Sequence, residues 1–344
     1  MASPDSITRA ETPIAFIQAM VAAYRARGLD PSGALIRAQI APNLLKQSRA
    51  RVTAQQMEWM SEAAMRELDD EALGWFRRRL PWGSYGMLAR ASVTAPTLGV
   101  AMKRWCRHHN LLTHDITLHL TLSDGLAHIM LEEHPDHHEL GQFREFCTVS
   151  ILRNALGVAC WLTDSRISLT HTQLHFEAPA HATSYQVLFD GPVEFNSQPT
   201  PPVSRISFDA GYLSLPVRRD EAALQRMLQR ALLLTVRPYR RDRLLVEKVR
   251  QVLTEHLEAA RNADEVAAHL GLSTRTLHRQ LREEGASLQQ LKDSVRRERA
   301  LDLLLKTRKP IKQVAAEVGF ANDKSFMRAF RLWTGKTVEE MRGS

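Results

Sequence analysis

Apolar residues recur at helical spacing along the first hundred residues of the chain. Residues 14–24 carry an apolar stripe, and Thr53-Ala-Gln-Gln56 has the capping-box pattern that opens an amphipathic helix. The pattern also predicts a helix over residues 71–80, stopped by a proline, and another with Pro96 in its first turn. This part of the chain is therefore expected to be mainly helical.

The period of the pattern changes in the middle of the chain. Apolar and polar residues alternate over 116–122 and 127–131, and Ser123-Asp124-Gly125 between them has hairpin-turn chemistry. Residues 139–158 then predict a long helix, and residues 166–176 a strand.

Two more segments complete the body of the chain. Residues 192–208 contain four prolines and predict loop with short strands, and residues 220–236 have one apolar helical face. We therefore predict an α+β domain over residues 1–236, a linker over residues 237–243, and a helical domain over residues 244–344.

A short phrase occurs twice in the helical domain. It reads Val266-Ala-Ala-His-Leu-Gly-Leu272 and, 48 residues later, Val314-Ala-Ala-Glu-Val-Gly-Phe320. Small residues, a glycine turn and an amphipathic stretch are the requirements of a helix-turn-helix motif. Residues 287–305 between the copies predict a linker helix, which would set the two recognition helices apart by about 34 Å, one turn of DNA.

The same plan predicts each copy in detail. In the first copy, Gly271 makes the turn, Ser273 caps the recognition helix, and two leucines face the core. The presented side chains are Arg275, Thr276, His278, Arg279 and Arg282. In the second copy, Gly319 makes the turn and Asn322 is the cap. Its presented side chains are Asp323, Lys324, Met327, Arg328 and Arg331.

Charge separates the two predicted domains. Residues 237–344 contain 23 Lys and Arg against 15 Asp and Glu, a net of +8, which is also the net charge of the whole chain. The body is therefore neutral and the helical domain basic. Lys and Arg give affinity for DNA phosphates, and one exposed helix face in each copy can enter a major groove. Double-stranded promoter DNA is thus the expected partner.

The helical domain resembles the AraC/XylS family of bacterial transcription regulators. The similar phrases begin at Val266, at Leu291 in the linker helix, and at Ile311; Val318-Gly-Phe-Ala-Asn-Asp-Lys-Ser-Phe-Met-Arg-Ala-Phe-Arg-Leu-Trp-Thr-Gly335 is close to the family signature. The family usually has Ser-Pro where this chain has Thr337-Val338, but Thr337-Val-Glu-Glu340 still forms a capping box.

The resemblance implies functional roles for particular residues. It implies that bases are read by Arg275, Thr276, His278 and Arg279 in the first recognition helix, and by Asp323, Lys324, Met327 and Arg328 in the second. Arginine can bind guanine bidentately. Asp323 would repel phosphate, so it either caps its own helix or accepts a hydrogen bond from cytosine.

The body resembles the arabinose-binding-type domain of one branch of the same family. The similar phrases are Gly83-Ser-Tyr-Gly-Met-Leu-Ala-Arg-Ala-Ser-Val-Thr-Ala-Pro-Thr-Leu-Gly99, and the run from His171 through Phe189-Asp-Gly-Pro-Val-Glu-Phe195 to Leu213-Ser-Leu-Pro216. The resemblance implies a domain that senses a small-molecule effector and forms a homodimer, joined to a domain that contacts RNA polymerase. An amino acid, a fatty acid or another small acid is equally open as the effector.

Candidate effector-binding residues are the aromatic and histidine side chains of the body. Trp82, Tyr85 and Trp161 could line a pocket, although such residues are more often core. His171 and His175 would share one strand face. The segment His134-Pro-Asp-His-His-Glu139 invites a metal site, but it follows a predicted strand and is more typical of a solvated loop. No metal or cofactor is therefore expected.

Composition and motifs narrow the function classes. Three cysteines without paired spacing favour a reducing cytoplasm, and the N-terminus lacks a signal-peptide layout. Residues 151–162 are apolar but too short to span a membrane. No catalytic motif is present. A ligand-responsive regulator is the leading hypothesis; the alternatives are an architectural DNA-binding protein without a ligand, and a DNA-modifying enzyme with a DNA-binding domain.

Overall fold

The computed structural model divides the chain into two compact units, Met1–Arg240 and Arg241–Ser344. It describes residues 10–136, 138–196, 202–229, 243–256 and 262–342. Most of the predicted linker, residues 237–243, lies outside the described residues, so its extent stays a prediction. The first unit is α+β and the second is helical throughout its described residues, which confirms the predicted fold class.

In the order of the chain, most strands of the first unit lie in a middle segment, with helices before and after it. Its α-helices are α1 (Ile14–Ala26), α2 (Ser32–Arg37), α3 (Ala54–Glu67), α4 (Ser84–Val93), α5 (Leu98–Leu112), α6 (Arg144–Thr163), α7 (Thr183–Phe189) and α8 (Glu221–Leu228). Its strands are β1 (Ala10–Pro13), β2 (Arg51–Thr53), β3 (Ile116–Ser123), β4 (Leu126–Glu133), β5 (Leu169–Leu174), β6 (Val193–Phe195) and β7 (Val203–Asp209). The predicted capping box forms at the start of α3, where Thr53 and Gln56 bond reciprocally.

Five of these strands form one sheet, in the order β3-β4-β7-β5-β6. The β3–β4 hairpin is antiparallel, with Ser123 paired to Leu126, and its two turn residues, Asp124 and Gly125, have φ of 52° and 74°. Positive φ at both positions is the type I′ geometry that matches strand twist. The predicted hairpin is confirmed. Strands β1 and β2 pair separately as a two-stranded sheet.

Helix α6 is the central helix of the first unit. Sixteen of its 20 residues are buried, so it has no polar face, as expected of a helix enclosed in a core. The segment Gly141–Thr163 is long and apolar enough to cross a membrane, and 89% of its most apolar window is buried inside the unit. The apolar segment is thus longer than residues 151–162, which the sequence pattern indicated to be too short to span a membrane.

The helix predicted over residues 71–80 is wrong. These residues form turns around the fully buried carboxylate of Asp70, which accepts hydrogen bonds from the backbone N–H groups of Ala72, Gly74 and Leu80 at 2.9–3.0 Å. Leu73 and Gly74 have positive φ, which ends any helical turn. A buried side chain therefore takes the backbone donors that a helix would have used.

Other boundaries shift by a few residues. Helix α5 begins after Thr97, whose hydroxyl accepts from the N–H of Val100, so Pro96 precedes the helix rather than opening it. Helix α6 starts five residues later than predicted, after a 3-10 turn at Gly141–Phe143, and β5 is shorter than the 166–176 expected. Of the helix predicted over 220–236, α8 is observed; residues 230–236 lie outside the described residues.

The second unit consists of seven described helices. They are α9 (Leu244–Glu255), α10 (Ala263–His269), α11 (Thr274–Glu283), α12 (Leu288–Lys306), α13 (Ile311–Glu317), α14 (Asp323–Thr334) and α15 (Val338–Arg342). Two hydrophobic clusters hold them together. Helix α12 gives Leu288, Leu291 and Val295 to the first cluster, and Ala300, Leu303 and Leu304 to the second. One helix is therefore part of both cores.

Candidate nucleic-acid interface and effector cavity

The first duplicated phrase forms a helix-turn-helix. Helix α10 is followed by Gly271, whose φ of 64° suits glycine, and the Ser273 hydroxyl accepts from the backbone N–H of Thr276 at 3.2 Å to cap α11. Leu277 and Leu281 of α11 are fully buried in the first cluster. Both predicted features, the cap and the core face, are present in this copy.

The outer face of α11 is basic. Arg275, His278, Arg279 and Arg282 are exposed, and Arg279 pairs with Glu283 one turn later at 3.0 Å. Thr276 differs from the other candidates because it is half-buried and its hydroxyl lies 2.8 Å from that of Ser273. Four of the five predicted residues therefore form an accessible surface, and the fifth packs at the cap.

The second phrase forms the same unit with one change in the turn. Gly319 has φ of 80°, and the Asn322 side chain caps α14 by accepting from the N–H of Ser325 at 2.8 Å. Phe326 and Phe330 are fully buried. The cap follows the turn glycine by three residues here, against two in the first copy. The recognition helices are consequently offset by 49 residues, and the support helices by 48.

Fewer of the predicted side chains are exposed on the outer face of α14 than on that of α11. Lys324, Arg328 and Arg331 are exposed, whereas Met327 is half-buried against the second cluster. Asp323 is also half-buried, and its carboxylate accepts from the N–H of Lys324 at 2.9 Å. A carboxylate at a helix N-terminus is favourable, so this contact favours the capping interpretation of Asp323 over cytosine recognition.

The linker helix contacts both copies of the helix-turn-helix motif. Its N-terminus has a capping box made by Ser287 and Gln290. In its middle, the Arg296 guanidinium lies 5.1 Å from the ring centroid of Phe320 and donates to the carbonyl of Gly319 at 3.4 Å. Arg296 therefore contacts the turn of the second copy from the helix that also supports the first. At 19 residues, α12 is about 28 Å long.

The first unit contains a cavity of about 220 Å³. Two of the predicted effector-binding residues, Trp82 and Tyr85, line it. The other lining residues are Met57, Glu58, Ser61, Met65, Glu71, Trp75, Gly83, Gly86, Ala89, Trp105, Phe146, Ser150, Ile151, Asn154, Val158, Met227 and Leu228. Cavities of this kind, mostly apolar with a few convergent polar groups, are typical of ligand sites.

Polar side chains in and beside the cavity wall differ in their hydrogen bonds and in their pKa. The Glu71 carboxylate accepts from the N–H groups of Gly83 and Tyr85, both at 2.7 Å, at the start of α4. Burial raises the pKa of Glu71, and those two hydrogen bonds oppose the rise. The Tyr85 hydroxyl lies 3.4 Å from Nε2 of His109. Burial lowers the pKa of His109 to about 4, so its imidazole is neutral at pH 7.

Three predicted effector-binding residues do not line this cavity. The Trp161 ring lies under the guanidinium of Arg219, at 5.7 Å. His171 lies 3.4 Å from Glu194 on the neighbouring strand, and the backbone N–H of His175 donates to Ser204 at 2.8 Å. These contacts of the three side chains or their backbone are all made to other residues of the chain.

The histidine-rich segment also makes contacts within the protein. His134 Nε2 lies 2.6 Å from the Thr117 hydroxyl, and His138 Nε2 lies 3.1 Å from the carbonyl oxygen of Trp75. His137 lies outside the described residues. Within the described part of the chain, no group of three His, Cys, Asp or Glu side chains could hold a metal ion.

Sequence reasoning missed Glu58, Glu71 and Asn154 in the cavity. They come from separate segments, and nothing in their spacing indicates that they meet. One signal existed for Glu58: it lies on α3 between Ala54 and Ser61, one helical face of otherwise uncharged residues.

The three cysteines are unsuited to nucleophilic chemistry. Cys106, Cys147 and Cys160 are all buried. Burial raises the pKa of Cys106 to about 12 and that of Cys147 well above its ordinary value. Because the thiolate is the reactive form, these thiols give no support to a DNA-modifying activity.

Comparisons with known proteins agree with both halves of this arrangement. Residues 28–217 match the family model described as the arabinose-binding domain of AraC transcription regulators, N-terminal, and residues 266–344 match a helix-turn-helix domain. The chain is 26% identical to the ornithine utilization regulator of Pseudomonas aeruginosa over 99% of both chains. It is 38% identical to the regulator VqsM of the same organism over 23% of this chain and 24% of that one.

Solved structures also include similar proteins. The transcriptional regulator CdpR of Pseudomonas aeruginosa is 21% identical, with a TM-score of 0.32, covering 91% of this chain and 96% of that one. The match to the arabinose-binding domain covers more than half of the chain, and the match to the helix-turn-helix domain covers both copies of the duplicated phrase. The chain is a transcription regulator of the AraC family, with an arabinose-binding-type N-terminal domain and a helix-turn-helix DNA-binding domain.

Proposed function

We propose that this regulator binds specific promoter sequences through α11 and α14, and that a small molecule in the cavity of the first unit controls that binding. The observation that carries the DNA-binding part is the pair of capped, basic recognition helices held by one shared linker helix. A neutral body with a mostly apolar cavity supports the sensing part. The protein acts as a homodimer in the cytoplasm and contacts RNA polymerase.

The residues proposed to meet DNA divide by position on their helices. Arg275, Arg279, Lys324 and Arg328 lie in the first two turns and are proposed to reach base edges. Arg282 and Arg331 lie a turn further on and are proposed to contact phosphates. A phosphate contact lowers affinity for every sequence when removed, whereas a base contact lowers affinity for the preferred sequence.

A binding map of the purified protein on fragments of its own genome tests this function. Sharp peaks at a few promoters, at about 150 mM salt, are expected of a specific regulator. Binding spread over all fragments and abolished by salt would instead favour an architectural DNA-binding protein. If sharp peaks are found, the genes beside them guide the choice of candidate effectors. Ornithine is one candidate, since it appears in the name of a relative similar along its whole length.

Effector control has its own measurement. Affinity for a fragment from a mapped peak is compared with and without each candidate molecule, because an effector shifts binding only if it prefers one state of the protein. An affinity that no candidate changes would contradict the sensing part and leave the DNA-binding part intact.

A further inference from the structure

We propose that Arg296 is a positioning residue: it holds the turn of the second helix-turn-helix copy against α12 and thereby fixes the second recognition helix relative to the first. This inference rests on the proposed function only where it concerns DNA, since the fixed arrangement is a property of the free protein. A protein that is already held in its bound arrangement loses less conformational freedom when it binds. Arg296 is therefore expected to contribute to affinity without itself reading a base.

The middle of α12 is the segment that separates the two cores. The apolar residues of this helix up to Val295 pack in the first cluster, and those from Ala300 onward pack in the second. Between them, Arg297, Glu298 and Arg299 are exposed, whereas Arg296 is half-buried. Side-chain contacts made by residues 296–299 therefore help to hold the two copies in one arrangement.

Two charged side chains of this segment contact opposite copies. Glu298 pairs with Arg250 of α9 at 2.9 Å, and α9 packs in the first cluster. The Arg296 guanidinium contacts the turn of the second copy. It lies 5.1 Å from the ring centroid of Phe320 and donates a long hydrogen bond, 3.4 Å, to the carbonyl oxygen of Gly319. The segment is thus tied to the first copy by one residue and to the second by another.

The ring that Arg296 contacts packs directly on the second recognition helix. The centroid of the Phe320 ring lies 5.7 Å from that of Phe326 and 5.7 Å from that of Trp333. Both partners belong to α14, and Phe326 is fully buried in the second cluster. Because Phe320 touches α12 through Arg296 and α14 through these two rings, a contact that fixes Phe320 also fixes α14.

The surroundings of Arg296 suit this role. Burial lowers the pKa of its guanidinium, and the Asp293 carboxylate opposes that fall. Cation–π contacts are stronger where the cation is partly removed from water. A planar guanidinium can lie on a ring and donate to a neighbouring carbonyl, whereas a lysine ammonium at the same position would keep the charge and lose the stacked plane.

The variants separate position from charge. Arg296→Met keeps an unbranched side chain against Phe320 and removes the guanidinium. Arg297→Met is the matched control, because it removes the same charge from the next residue, which is exposed. The packing of α12 from Ala300 onward is unchanged in both variants, so the second copy is expected to stay folded.

The first measurement uses the full-length protein without DNA. Spin labels are attached through His278→Cys on α11 and Leu332→Cys on α14, both exposed positions, while the three native cysteines are buried. Labelled protein is diluted with unlabelled protein, so that pulsed electron resonance reports distances within one chain. We expect a narrow distribution for the parent protein and for Arg297→Met, and a distribution about twofold broader for Arg296→Met, because the contact with Phe320 is lost.

The second measurement uses a promoter fragment from a mapped peak. One base pair is inserted or removed between its two half-sites, which moves one half-site by about 3.4 Å and turns it by about 35°. We expect the wild type to lose affinity at least about tenfold on either change, and Arg296→Met to lose about threefold or less, because a looser pair of copies adapts to both spacings. Arg296→Met should also bind the unchanged fragment more weakly than the wild type. Arg297→Met should keep the wild-type dependence on spacing.

The proposal is overturned by equal distance distributions in Arg296→Met and the parent protein, or by the same broadening in Arg297→Met. It is also overturned if Arg296→Met lowers affinity by one factor at every spacing, since Arg296 would then be a phosphate contact. Arg296→Lys, for which we expect intermediate broadening, decides the question if Arg296→Met fails to fold. Broadening in Arg296→Met without any preferred promoter would uphold the positioning role and contradict the proposed function.

Discussion

The two helix-turn-helix copies have the same frame and different outer faces. When Leu277 is matched to Phe326, the cations Arg275, Arg279 and Arg282 fall on Lys324, Arg328 and Arg331. All six are exposed. Three shared cations in each copy would give similar attraction to phosphates. Any difference in the sequences that the two helices recognise is therefore expected from the positions that are not shared, and from Arg275 and Lys324, whose head groups differ in shape.

Two of the unshared positions show the contrast between the outer faces. His278 is exposed in the first copy, whereas its equivalent, Met327, is half-buried against the second core. Arg279 pairs with Glu283, whereas the residue four positions after Arg328 is Leu332, which is 86% exposed. The first recognition helix thus offers an additional polar side chain and a restrained arginine. The second offers an arginine that pairs with no carboxylate among the described residues, and a half-buried methionine.

The cores differ as well, and this gives the largest expected effect. The first copy buries Leu281 where the second buries Phe330, both fully. We expect Phe330→Ala to cost about 3–5 kcal/mol and Leu281→Ala about 2–5 kcal/mol of unfolding free energy, because each leaves a cavity. Hydrogen–deuterium exchange of the full chain should show faster exchange first in α13–α15 for Phe330→Ala, and first in α9–α11 for Leu281→Ala.

Leu332→Ala is the control for this comparison, since it removes a large apolar side chain from the exposed side of the same helix. Its exchange should match that of the wild type. Because α12 belongs to both clusters, uniform loss of protection across the whole unit with either core variant would mean that the two copies unfold as one.

The next effect concerns the equivalent arginines. Arg279→Ala and Arg328→Ala should each cost about 1–3 kcal/mol of binding free energy at the preferred sequence. Arg328→Ala should cost more, because Arg279 must leave Glu283 before it can bind a base. Affinities for a mapped promoter fragment and for unrelated DNA at one salt concentration measure this. Equal losses on both DNAs would show that these arginines contact phosphates only.

A smaller effect is expected from His278 and Met327. Because His278 is exposed and Met327 is half-buried, His278→Met should change the preferred base at one position of its half-site, by about 1–3 kcal/mol. Met327→His should change base preference less and reduce stability more. Selection of binding sites from a random library, followed by thermal unfolding, measures both. A larger change of base preference with Met327→His would reverse our assignment of the two faces.

The helical unit was more predictable from sequence than the cavity was. Caps, turn glycines and buried positions of the two copies are local, and Ser273, Gly271 and Leu277 all lie where the pattern predicts. The cavity combines residues from α3, α4 and α6 with turns whose shape depends on the buried carboxylate of Asp70. Such a carboxylate overrides the local helical pattern, and its burial cannot be read from neighbouring residues.

Sequence alone does not distinguish Arg279 from Arg328, whereas the structure does. Both look like exposed arginines on a recognition helix, and only the side-chain geometry shows that one of them is already paired. An exposed pair one turn apart contributes less than about 1 kcal/mol. The smallest predicted effect therefore concerns this pair: Glu283→Gln should raise affinity for the preferred sequence by less than that amount, most clearly at low salt.

Leu332→Glu should make the second copy resemble the first and lower affinity by a similar amount, since it places a carboxylate one turn after Arg328. Both changes are measured again in the corresponding Arg→Ala background. If they act through the arginine beyond the simple loss or gain of a negative charge near DNA, most of their effect should disappear there. An undiminished effect would mean that Glu283 repels phosphates directly and that its contact with Arg279 does not restrain the arginine.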